Sequence, residues 1–127
     1  MFKFVTIYRR VDDEDALETF FATTHLQLAE KLPGLLKSEV SRVHGKPGGE
    51  SRYHLMYELY FESRLWFDRA LATPTGVQFI QALKPWADAH LMTWFFSEAF
   101  EEATTARRPF FNAEEIGYLP PFTDEEE

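Results

Sequence analysis

The residue pattern predicts an α+β protein built in the order β-α-β-β-α-β, a four-stranded antiparallel sheet with two helices on one face. Three observations carry that prediction. The stretch Phe2–Arg10 alternates and is rich in β-branched and aromatic residues, and Tyr53–Glu62 gives the strongest strand signal in the chain. Between them, Leu17, Phe20, Phe21, Thr24, His25, Leu28 and Leu32 recur at helical spacing and form one continuous face. The length, 127 residues, suits one domain with a single core.

Taken in order, strand 1 is Phe2–Arg10. Asp12 or Asp13 caps the first helix, and Pro33-Gly34 ends it, glycine being free to adopt the left-handed conformation. Leu35–Val43 reads as strand 2, mixed in polarity and expected at an edge. The run Gly45 to Ser51 is a turn by composition, and its Gly48-Gly49 joins two strands instead of feeding a phosphate to a helix N-terminus. Strand 3 is Tyr53–Glu62. Ser63 is expected to cap a second helix carrying Leu65, Trp66, Phe67, Ala70 and Leu71, which pauses at Thr73-Pro74-Thr75-Gly76. Thr75 with Gln78 then forms a capping box, and Pro85 closes the helix. Ala89–Phe100 is strand 4. This is the split βαβ, or ferredoxin-like, plan.

Composition narrows the function classes. There is no cysteine, which excludes disulfides, thiolate nucleophiles and cysteine-held metals. The formal charge of −8 argues against nucleic acid as a partner. The opening residues lack the charged and then apolar pattern of a signal peptide, and no apolar run approaches the roughly 18 residues of a membrane span. A cytoplasmic protein with no membrane partner is the expectation. The acids concentrate at the first helix start, where the helix dipole favours them, and in the last residues.

Both sheet faces read as apolar. In strand 4, Met92, Trp94, Phe96 and Phe100 face one way and Leu91, Phe95 and Ala99 the other; strands 1 and 3 repeat this. Two helices cover one face only, so the other calls for a second copy of the chain, a homodimer. The C-terminal stretch holds Phe110, Phe111, Ile116, Tyr118, Leu119 and Phe122, too many anchors for a solvated linker. It is expected to be an extended arm across the partner or over a cleft.

The segments Lys3–Arg10, His25–Leu35, Tyr53–Phe61 and Thr73–Gly76 together resemble the EthD family of the dimeric α+β barrel superfamily, over about residues 2–100. Where the family motif commonly reads His-x-Pro-Leu, this chain has His25-Leu26-Gln27-Leu28. The resemblance implies an EthD-like ferredoxin-like domain over residues 1–102, an arm over 103–127, and pairing of two sheets into a barrel. It also implies a link to oxidative degradation of small organic molecules. Fold alone does not choose among the superfamily's oxygenases, cyclases and isomerases.

His25 is the candidate catalytic residue, a general acid or base on an inward helical face; the competing reading is a neutral imidazole satisfied inside the core. Tyr8, Tyr53 and Tyr57 are candidate hydroxyl donors to a substrate, and Trp66 and Trp94 candidate pocket walls, although core packing is the simpler role for each. His54 with Glu58, and His90 with Glu98, share strand faces on which a carboxylate would tune an imidazole, or else form a hydrated strip or ion pairs with Arg9, Arg10 or Arg42. No metal-ligand spacing is present and no cofactor is called for. The function expected is a homodimer binding a small hydrophobic molecule in a cleft under helix 1, as an oxidoreductase or accessory protein. The alternatives are a carrier without turnover, and a cofactor-independent isomerase or cyclase using His25.

Overall fold

A computed structural model describes residues 1–102; the expected arm over 103–127 lies outside the described residues. The elements are β1 (Phe2–Arg9), α1 (Glu14–Phe20), a π-helical turn (Phe21–His25), α2 (Leu26–Glu30), β2 (Lys37–Arg42), β3 (Tyr53–Phe61), α3 (Arg64–Leu71), α4 (Pro74–Asp88) and β4 (Met92–Glu98). The sheet order is β2-β3-β1-β4, every neighbouring pair antiparallel. The fold is therefore ferredoxin-like, with β2 at an edge as its mixed polarity predicts.

The core lies between the helices and one sheet face. Strand alternation delivers Phe2, Phe4, Thr6 and Tyr8 of β1 and Leu55, Tyr57, Leu59 and Phe61 of β3 to that face, all buried. Leu17, Phe21, His25, Ala29 and Leu32 descend on them from the first helical segment, and Phe67, Ala70, Phe79 and Leu83 from α3 and α4.

The first helix is not uniformly α. Asp13 caps it as expected, its Oδ1 accepting from the Ala16 N–H at 2.9 Å, and Gly34 follows the C-terminus with φ of 85°. Between these ends a π turn spans Phe21–His25. The buried residues explain it. Leu17, Phe21, His25 and Ala29 are each four apart, and four residues over-rotate an α-helix by about 40°. One wider turn undoes that drift and keeps the stripe on the sheet.

The second helix is two helices, and three expectations change there. Ser63 occupies the N-cap position of α3, but its hydroxyl makes no capping hydrogen bond. Thr73, not a Thr75/Gln78 box, caps α4: its hydroxyl accepts from the Gly76 N–H at 3.1 Å and donates to the Ala70 carbonyl at 2.6 Å, with Pro74 at the first helical position. Pro85 lies inside α4, which runs on to Asp88. Trp86 holds that last turn down, stacked on Phe20 at 5.0 Å and edge-on to Tyr8 at 5.5 Å.

β4 is shorter than the apolar run suggests. His90 lies before it, in a turn with φ of 61°, so it shares no strand face with Glu98. The sheet face away from the helices also differs from expectation. Val5, Ile7, Met56 and Phe95 do lie on it, but so does a polar strip. Lys3 Nζ meets Glu58 at 2.7 Å, the Tyr60 hydroxyl donates to Glu39 at 2.7 Å, and Lys37 lies over the Tyr60 ring. Apolar residues are abundant in these strands, yet the two-residue period of β1 and β3 puts Lys3 and Glu58 together on the open face.

Candidate functional site

His25 ends the π turn, and that turn carries its side chain straight down onto the sheet. The residue is wholly buried. Its Nδ1 lies 2.6 Å from the Tyr8 hydroxyl, and its ring is walled by Phe21, Tyr57 and Phe79, with centroids 5.3, 5.0 and 5.6 Å away. Burial in this aromatic shell lowers the imidazole pKa to about 3, and burial likewise raises that of Tyr8 well above the ordinary phenol value. Both groups are neutral at physiological pH.

Counting protons assigns their roles. If Tyr8 donates to Nδ1, the only group of the pair left without a partner is the Nε2–H. If Nδ1–H donated to Tyr8 instead, both the phenol proton and the Nε2 lone pair would be stranded. Each stranded buried polar group costs about 1–3 kcal/mol, so the Nε2–H form is favoured. Nε2 finds no hydrogen-bond partner among the described residues, and neither does the buried hydroxyl of Tyr57. Burial is the main reason the Tyr57 pKa is raised.

A separate feature opens along β4. A cleft of about 510 Å³ lies between β4 and the pair α3–α4, lined by Phe4, Phe67, Leu71, Ile80, Trp94, Phe95 and Phe96. Its lining is almost wholly apolar, and the Arg64 guanidinium rests 4.2 Å over the Phe96 ring. The cleft is therefore under α3 and α4 and not under the first helix, and His25 is not among its lining residues.

The structure thus divides the sequence candidates into three. Tyr8 and Tyr57 join His25 in the core. Trp94 lines the cleft. Tyr53 and Trp66 are exposed and meet neither: Tyr53 lies at the start of β3 beside Arg52, and Trp66 on the outer side of α3 beside Arg69. Sequence reading assigned no site role to Phe4, Phe67, Ile80 and Phe95. The i, i+3, i+4 spacing in α3 and α4 marks Phe67 and Ile80 as inward, but only the packing of two helices against an edge strand makes a cleft of them.

His54 is paired outside its own strand. Its Nε2 lies 2.6 Å from Glu18 on α1, which Arg42 also holds at 2.7 Å. The Arg42 guanidinium, then His54, lowers the Glu18 pKa to about 2. This cluster ties the first helix to β2 and β3. Glu58 is held by Lys3 instead. Among the described residues, no three histidine or acidic side chains converge as metal ligands, and no helix is long and apolar enough to cross a membrane.

The solved structures similar to this chain include a protein of the ethyl tert-butyl ether d (EthD) family from Bacillus halodurans. It is 30 % identical, with a TM-score of 0.73 over 79 % of this chain and 99 % of that one. The chain belongs to the EthD family. A ferredoxin-like DABB family protein from Mesorhizobium loti aligns with a TM-score of 0.59 at 14 % identity, covering 79 % of this chain and 97 % of that one. SnoaB from Streptomyces nogalater, a cofactor-independent oxygenase, aligns with a TM-score of 0.55 at 18 % identity, covering 84 % of this chain and 97 % of that one. At these identities the last two share the fold with this EthD protein and nothing finer. No family model matches the sequence, and no curated protein matches it.

Proposed function

We propose that this EthD protein binds a small hydrophobic organic molecule in the cleft beside β4 and takes part, as a homodimer, in the oxidative metabolism of such compounds. The observation that carries the reading is the cleft itself. Its volume, about 510 Å³, falls in the range of roughly 300–1,000 Å³ usual for small-molecule sites, and its seven lining residues are all apolar. Aromatic walls reward an apolar ligand for the water it sheds, at about 25 cal/mol per Å² buried. An oxidative role draws support from family membership and from the fold shared with a cofactor-independent oxygenase.

His25 enters this reading as a hydrogen-bond donor. With Nδ1 accepting from Tyr8 and a pKa near 3, it is a poor general base at neutral pH, but its Nε2–H is free to polarise an oxygen. Pairing of two copies through the open sheet face draws support from Phe95, exposed on that face beside Val5.

Native mass spectrometry of the purified protein, with and without tetralin as an apolar probe, tests the cleft. The expected result is a bound small molecule that is lost in Ile80→Trp, whose indole fills the space. Equal uptake by the two proteins would count against the cleft as the site.

A further inference from the structure

One side chain bridges His25 and the cleft. Phe79, on α4, is wholly buried, its ring 5.6 Å from that of His25 and 6.0 Å from that of Phe4. Phe4 lines the cleft, and so does Ile80, the residue after Phe79. Phe79 therefore packs near both the imidazole and Phe4 of the cleft wall.

The imidazole behind it has a polar edge to spare. Tyr8 occupies Nδ1; Nε2, nearly opposite on the ring, faces away from Tyr8 and has no hydrogen-bond partner among the described residues. The rings of Phe21, Tyr57 and Phe79 pack around the imidazole. A position needed only for packing takes Phe or Leu without leaving a polar group stranded. The turn that presents His25 is itself irregular, a π segment of the kind that recurs where a helix side chain is used.

We propose that Phe79 is the specificity gate of this protein. Displacement of its ring from beside the imidazole joins the cleft to His25 and admits apolar molecules carrying a carbonyl oxygen, which accepts the Nε2 hydrogen. The body of the ligand stays against Phe4, Ile80 and Trp94; the oxygen alone reaches past residue 79. Ligands with no acceptor bind in the cleft and leave the gate shut. This rests on the cleft being the ligand site, as proposed above. Discrimination follows because the acceptor satisfies a donor that is otherwise buried unpaired.

The test uses the full-length protein and two probes of one bicyclic skeleton, tetralin and 1-tetralone, which differ by a single carbonyl. Calorimetric titration is expected to give roughly tenfold tighter binding of 1-tetralone by the parent protein. In Phe79→Trp, too bulky to move aside, that preference disappears. In Phe79→Ala the preference is kept or widened. Nitrogen-15 NMR of the parent protein, which needs no variant to fold, is expected to show the His25 Nε2–H signal moving with 1-tetralone and not with tetralin. Equal affinities, or an unmoved His25 signal, would overturn the gate even if tetralin binds. Failure of tetralin to bind at all would overturn the cleft reading, and the gate with it.

Discussion

At the scale of the residue, the neutral His25–Tyr8 pair dictates how the protein responds to acid. In the unfolded chain His25 takes up a proton near pH 6.5, whereas the folded chain resists until about pH 3. Between those values the unfolded state binds more protons. The stability is therefore complete above pH 6.5 and falls by about 1.4 kcal/mol for each unit below it. Glu18, lowered from 4.5 to about 2 chiefly by Arg42, adds a second loss as the pH drops below 4.5. A side chain one-third exposed makes that contribution smaller. Urea melts from pH 8 to pH 4 check this: a curve that is flat down to pH 5 would mean that His25 is charged in the folded state. His25→Ala removes a packed ring and strands the Tyr8 hydroxyl, at an expected cost of about 3 kcal/mol. His25 was legible from sequence as a histidine in an apolar stripe. Its partner was not, because Tyr8 and His25 meet only when strand and helix register are both set.

At the scale of the element, the π turn and the α3–α4 junction are the informative departures from regular structure. Deleting the exposed Thr23 would convert the buried spacing Leu17, Phe21, His25, Ala29 into the alternating four-and-three pattern of an ordinary helix. The variant is expected to fold with a melting temperature equal to or above the parent's by circular dichroism, while the His25 imidazole signals shift in NMR. Unchanged signals would show that the π turn is incidental to the placement of the histidine. At the junction, a Cβ on Gly76 would collide with the Ala70 carbonyl. Gly76→Ala is therefore expected to force α3 and α4 apart and widen the cleft, with a stability loss of about 2 kcal/mol. Thr73→Ala, which only removes a cap, costs about 1 kcal/mol by the same melts. Periodicity located both segments but missed their irregularities. A helix that changes pitch, and a glycine required by a close crossing, answer to neighbours distant in the chain.

At the scale of the whole molecule, the open sheet face is where the proposed pairing of two copies is tested. It holds the Lys3–Glu58 pair, already largely shielded within one copy, next to Val5 and Met56. A second copy laid on it would bury those charges as a matched pair, which is tolerable while both remain. Light scattering is expected to give twice the mass of the 14.9 kDa chain, and Phe95→Lys, on the same face, to return it to a monomer that keeps its helical signal. A parent protein that stays monomeric at micromolar concentration would remove the dimer from the proposal.

By itself the sequence determined the element order, the edge position of β2, the Asp13 cap and the inward face that bears His25. These are local matters, settled by spacing and by backbone preferences within a few residues. It also carried the EthD likeness. Only the tertiary structure decided that the cleft opens beside β4 under α3 and α4, that Trp66 and Tyr53 stand outside it, and that Phe79 lies between it and the imidazole. Those facts depend on which strand edge two separate helices fail to cover. That is a property of three-dimensional packing, which residue spacing along one element does not encode.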